Sequence, residues 1–217
     1  MDSFILSARL NSFLAQPELY WKDKHTITTT DLLQRLSKVP GITHAELNYP
    51  QHFYKTDTKT IKNALRSFGL KYSGTALRYG KEFQNGSLSN FDPAIRRHAI
   101  DMTKRAVETT LEMGGFLTTM WFAYDGFDYT FQTDYEKAWQ LMTEGIREIA
   151  LAYPEAQLSI EYKPYQPRAF SLIGDIGTTL YSIEDIGCKN VGVTLDLCHV
   201  MMKRENPACS LALAASH

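Results

Sequence analysis

Apolar residues along this chain alternate between two periods. Short β-branched or aromatic runs are followed by segments in which apolar residues recur every three or four positions, the strand and helix signatures. Phe4 to Leu10 reads as a first strand, and Asn11 to Thr29 as a polar, aromatic loop. Thr29 or Thr30 caps a helix from Asp31 to Lys38 with Leu32, Leu33 and Leu36 on one face, and Pro40-Gly41 stops it. Ile42 to Leu47 is a second strand, Thr58 to Phe68 a second helix, and Leu70 to Arg78 a third strand. After a Gly/Asn/Ser-rich loop, Asp92-Pro93 starts a strong helix carried by Ile95, Ala99, Met102, Ala106 and Met113, and Gly114-Gly115 ends it. Phe116 to Phe122 is nearly all apolar or β-branched, as a strand covered on both faces should be. An aromatic loop over Tyr124 to Thr133 leads to a helix over Asp134 to Ala152. A β-α-β unit follows: Leu158 to Glu161, a helix over Thr178 to Ile186, and Val191 to Asp196. Asn206-Pro207 then opens a sixth helix that is still running at His217.

Six β/α units in series, without hairpin signals, predict an α/β fold with parallel strands. No Gly-x-Gly-x-x-Gly and no Gly-x-x-x-x-Gly-Lys-Ser/Thr occurs, which argues against a nucleotide-binding open sheet. The remaining simple solution is a (β/α)8 TIM barrel, which typically takes about 250 residues. With 217 residues and six units, the expectation is one domain over residues 1–217, a barrel incomplete at its C-terminus.

Composition narrows the partners. The formal net charge is −1, so no electrostatic footprint for nucleic acid or an anionic membrane is expected. The first nine residues lack a basic region and a long apolar core, so they do not read as a signal peptide. No apolar run approaches the roughly 20 residues that span a bilayer. Three cysteines, Cys188, Cys198 and Cys209, have no close metal-type spacing and suit a reducing, cytoplasmic setting.

The candidate chemistry sits at the ends of the last two strands. In a parallel β-α-β unit those C-terminal ends are neighbours on one rim. Glu161 ends one strand and Asp196, with His199 three residues on, ends the other. Asp, Glu and His together suit a hard or borderline divalent ion such as Mn, Mg or Co. Lys163 lies two residues past Glu161, on the same side of an extended chain, where a cation can stabilise charge developing on a substrate oxygen. Bland readings stand beside these: Glu161 as a rim carboxylate paired with Lys163 or Arg168, and Asp196 as a helix cap. Trp121 is either core or the wall of a pocket. Asp125 and Gln132 in the loop after it are placed to hydrogen-bond hydroxyls. His44, His52 and His98 read as ordinary polar or surface residues.

These residues resemble a known family. Glu161-Tyr162-Lys163-Pro164-Tyr165-Gln166-Pro167-Arg168 is similar to the E-x-K-P-x-x-P-R segment of xylose isomerase and to the E-x-K-x-Y-x-P segment of L-rhamnose isomerase. Asp196-Leu197-Cys198-His199 resembles the acid-x-x-His that follows in both. The stretch from Asn90 to Arg97 resembles the start of the helix after the third strand of xylose isomerase-like barrels, and Trp121, Asp125-Gly126 and Gln132 resemble a region of L-rhamnose isomerases. The resemblance covers Gly80 to His217 well and the first third loosely.

It implies a metal-dependent aldose–ketose isomerase, with hydride shifting between C1 and C2 of a sugar substrate beside two bound cations. Glu161 and Asp196 would bind the main metal, and His199 the second. Lys163 would hold the substrate's O1, and Trp121 would pack on the sugar. The same families complete the metal site with residues from a seventh and an eighth strand, so weak metal binding is expected of these 217 residues. They also often form dimers or tetramers, which makes a homo-oligomer compatible with the reading. The competing readings are a ketose 3-epimerase or sugar-acid lyase of the same fold, a non-catalytic barrel remnant, and a metal-dependent endonuclease, the last disfavoured by the balanced charge.

Overall fold

The computed structural model describes residues 5–217. Phe4, expected to start the first strand, lies outside the described residues. The chain divides into two compact units, one formed by the residues up to Arg78 with Ala106–Leu117, the other by Tyr79–Arg105 with Thr118–His217.

In the first unit, β1 (Ser7–Arg9), β2 (His44–Tyr49) and β3 (Lys71–Arg78) pair in parallel in chain order. Helices α1 (Thr29–Leu36) and α2 (Thr58–Ser67) connect them. The cap of α1 is Thr28 rather than Thr29 or Thr30. Its hydroxyl accepts from Asp31 N while the Asp31 carboxylate accepts from Thr28 N, a reciprocal box that moves the helix start two residues earlier than Leu periodicity alone indicates. Leu32, Leu33, Leu36, Leu47 and Ile61 form the centre of a buried cluster. The segment expected to be plain loop contains two 3-10 turns, Leu10–Leu14 and Pro17–Leu19. His52 is buried, not superficial: its Nδ1 accepts from Asn48 N at 2.8 Å, and burial lowers its pKa to about 4.

The second unit carries the rest of the pattern. The long helix α3 (Pro93–Glu112), whose last turns belong to the first unit, starts where Asp92 Oδ1 accepts from Ala94 N. Strand β4 (Leu117–Trp121) reaches from Leu117 of the first unit into the second, and α4 (Tyr135–Ala152) begins on the Asp134 side-chain cap. Next come β6 (Gln157–Glu161), α5 (Ile176–Ile186) and β8 (Val191–Thr194). Helix α5 starts at Ile176, two residues before the expected Thr178, because Asp175 caps it and Thr178 closes the box from the third helical position. Asn190 donates to the carbonyls of Ala150, Tyr153 and Ala156, closing the C-terminus of α4 against the turn into β8.

Two findings correct the sequence reading here. Gly126–Phe127 (β5) and Phe170–Ser171 (β7) form a short antiparallel ribbon where only loop was expected. After β8 come two helices, not one: α6 (Leu197–Met202) and α7 (Pro207–Ala214), and α7 ends at Ala214 instead of running to His217. The six longer strands follow the chain order, each set off by a helical segment, which is the (β/α)8 barrel plan carried through six β/α units. Among the described residues no helix is long and apolar enough to cross a membrane.

Candidate metal centre

The register of β6 on β8 builds the site. Glu161 is paired with Thr194, so both strand ends finish level. Two residues past Thr194 the chain turns, and Asp196 becomes the N-cap of α6: its Oδ1 accepts from Cys198 N at 2.8 Å and His199 N at 3.4 Å. That first turn swings His199 back over the strand ends. Its Nε2 comes to 3.7 Å from Asp196 Oδ2, and its Nδ1 to 3.8 Å from Glu161 Oε1. One donor atom from each of Glu161, Asp196 and His199 lies within 4.8 Å of the others.

Asp196 is the helix cap its sequence allowed. One carboxylate oxygen caps a helix, and the other faces the imidazole. Glu161 is 4% and His199 8% exposed. His199 Nδ1 is buried and makes no hydrogen bond. A buried carboxylate, a second carboxylate and a buried imidazole gather three metal-type donors in little space. The donor set fits a hard or borderline divalent ion.

Lys163 and Trp121 come together. The Lys163 ammonium sits 5.5 Å from the centre of the Trp121 ring, within the range where the ring face attracts a cation. Both are half-buried. The loop residues go elsewhere. Asp125 is 1% exposed, and its carboxylate is fully engaged: Oδ1 accepts from Ser87 N (3.0 Å), Ser89 N (2.8 Å) and Ser89 Oγ (2.6 Å), and Oδ2 from Ser87 Oγ. Burial pushes its carboxyl up, against the pull of those four donors. It ties the loop after β3 to the loop after β4 instead of offering oxygens to a ligand. Gln132 is exposed and lines a separate cavity of about 270 Å³ with Asn85, Phe91, Thr133 and Arg168, none of which is a metal-donor candidate. The sequence reading missed α6, whose signal was present: Asp196 followed by Val200 and Met201 at helical spacing.

Comparison with known proteins places the chain. Residues 35–217 match the family model described as xylose isomerase-like TIM barrel. A probable sugar isomerase of Mesorhizobium japonicum is 25% identical over 142 residues, covering 61% of this chain, and one of Rhizobium meliloti is 28% identical over 109 residues, covering 49%. The aligned stretches are only 33% and 25% of those proteins, so the chain spans a third or less of the curated relatives it matches. Among solved structures, D-psicose 3-epimerase of Clostridium cellulolyticum superposes with a TM-score of 0.76 at 19% identity, covering 98% of this chain and 70% of that one. The 3-keto-D-glucoside 4-epimerase of E. coli gives 0.75 at 14% identity, covering 99% and 76%. At such identities these structures speak for the fold alone.

Proposed function

Because the chain belongs to the xylose isomerase-like TIM barrel family, we propose that it serves a divalent-metal-dependent rearrangement of a sugar, an aldose–ketose isomerisation, at the rim built by β6, β8 and α6. The observation that carries this reading is the convergence of Glu161, Asp196 and His199. A divalent ion held by them would polarise a carbonyl and a neighbouring hydroxyl of the sugar.

The chain's own residues do the rest. Glu161 and the outer oxygen of Asp196 supply negative donors, and His199 supplies a lone pair. The cap on α6 fixes His199 and Asp196 relative to each other, so the site is held before any ligand arrives. Lys163, held against the Trp121 face, is a donor for a substrate oxygen that gains charge. The indole offers an apolar wall that excludes water from the reacting carbons. The E-x-K spacing and the probable sugar isomerases among the relatives support isomerisation.

A second reading is ketose 3-epimerisation, the reaction named for D-psicose 3-epimerase, which shares this fold. Incubating the chain with Mn and a panel of aldoses and ketoses, then identifying products, separates the two. Aldose-to-ketose conversion supports the first reading and inversion at C3 the second. Turnover that survives Glu161→Gln would overturn both.

A further inference from the structure

Glu205 lies outside the donor set, yet it is bonded to residues next to both halves of it. Its backbone follows α6, where Lys203 is the C-cap. Arg204 adopts φ +62, a left-handed conformation that reverses the chain. Arg204 N then donates to Met201 O at 3.0 Å and Glu205 N to Val200 O at 3.1 Å, the paired bonds of a Schellman closure with a non-glycine residue at its turn. Glu205 is thereby locked, by its backbone, to the residue that follows His199.

Its side chain reaches the other half. Oε2 accepts from the Tyr162 hydroxyl at 2.8 Å and from Ser210 Oγ at 2.6 Å, and Oε1 accepts from Ile176 N at 3.1 Å. Tyr162 is 2% exposed and stands between Glu161 and Lys163. One carboxylate thus gathers a strand end, the first turn of α5 and the body of α7, and one residue connects the neighbour of Glu161 with the neighbour of His199.

We propose that Glu205, acting through Tyr162, is a positioning residue that sets the spacing of Glu161 against the Asp196–His199 pair and so tunes the affinity of the metal centre. The inference rests on the metal reading above. Outer residues that orient metal donors typically cost 10–100-fold in affinity when lost, and the smaller end is expected here because Glu205 acts one residue removed.

The test is calorimetric titration of Mn into the full chain, well below its melting temperature, with thermal melts alongside. The variants are Tyr162→Phe, Glu205→Gln and Ser210→Ala. Tyr162→Phe keeps the ring and removes only the tie; Ser210→Ala removes a donor from the same oxygen but leaves the tie. Expected are about a tenfold loss of Mn affinity in Tyr162→Phe, at least that in Glu205→Gln, and wild-type affinity in Ser210→Ala. Wild-type affinity in folded Tyr162→Phe, whatever its melting temperature, would overturn the inference and leave the metal centre standing. An equal loss in Ser210→Ala would also overturn it, by tracing the effect to packing and not to the tie. Absence of Mn binding by the wild-type chain would overturn the metal reading and this inference together.

Discussion

Asp125 and Glu161 make an instructive pair. Both are buried acids in the second unit, one just after a strand and one at a strand end. Both carry motif signals of the same family. Asp125 is surrounded by donors: two backbone N–H groups and two hydroxyls from Ser87 and Ser89. Glu161 faces an imidazole and, near it, another carboxylate. The first environment surrounds a carboxylate with donors; the second brings three metal-type donor groups together. Asp125 is a structural acid; if Glu161 is a metal donor, as proposed, the two should come apart under substitution.

The largest separation is expected at Asp125. Asp125→Ala leaves the N–H groups of Ser87 and Ser89 buried without acceptors and should cost about 4 kcal/mol in urea unfolding, at roughly 1–3 kcal/mol per orphaned buried group. A loss below about 1 kcal/mol would show that the loop does not depend on this carboxylate and would collapse the distinction.

The same contrast runs through the histidines. His52 is enclosed as a neutral acceptor in the first unit, whereas His199 faces two acids. The folded pKa of His52, about 4, lies below the unfolded value of 6.5, so the unfolded chain takes up the proton first. The stability this group contributes is present above pH 6.5 and drains away as pH falls towards 4, by about 3 kcal/mol in full. Unfolding curves of wild type and His52→Gln between pH 7 and 4 check it: the variant should show a flatter dependence, and equal slopes would contradict it.

A smaller effect tests whether Asp196 does more than cap α6. Asn caps a helix about as well as Asp, so Asp196→Asn should leave stability within about 0.5 kcal/mol. Replacing the outer oxygen by an amide nitrogen should still weaken Mn binding at least tenfold, about 1.4 kcal/mol. If stability falls and affinity does not, Asp196 is a cap only.

Much of this was legible before any coordinates. The barrel plan follows from the alternation of strand and helix periods, and Glu161 and Asp196 were paired because parallel β-α-β topology brings strand ends together. Asp92-Pro93 and Asp134 announced their helices through side-chain caps. What stayed hidden depends on partners distant in sequence. Asp125 meets Ser87 and Ser89 across 36–38 residues, in a segment whose composition reads only as loop. Asp-Gly next to Trp121 looked like a sugar contact because motif likeness reports residue type, not what the side chain touches. Helix α6 is six residues long, too short for a helical period to stand out beyond its Asp196 cap. The β5–β7 ribbon is two residues long on each side, too short for any period to show.

The most direct test of the central claim is a paired experiment on Glu161→Gln: Mn titration by calorimetry and thermal unfolding without metal. Gln keeps the shape of the side chain and removes one of two converging negative charges. The account predicts at least a hundredfold loss of Mn affinity, with a melting temperature equal to or above that of the wild type. Unchanged affinity, or a melting temperature that falls as it should for Asp125→Ala, would show that Glu161 is a structural acid like Asp125 and that the rim holds no metal centre.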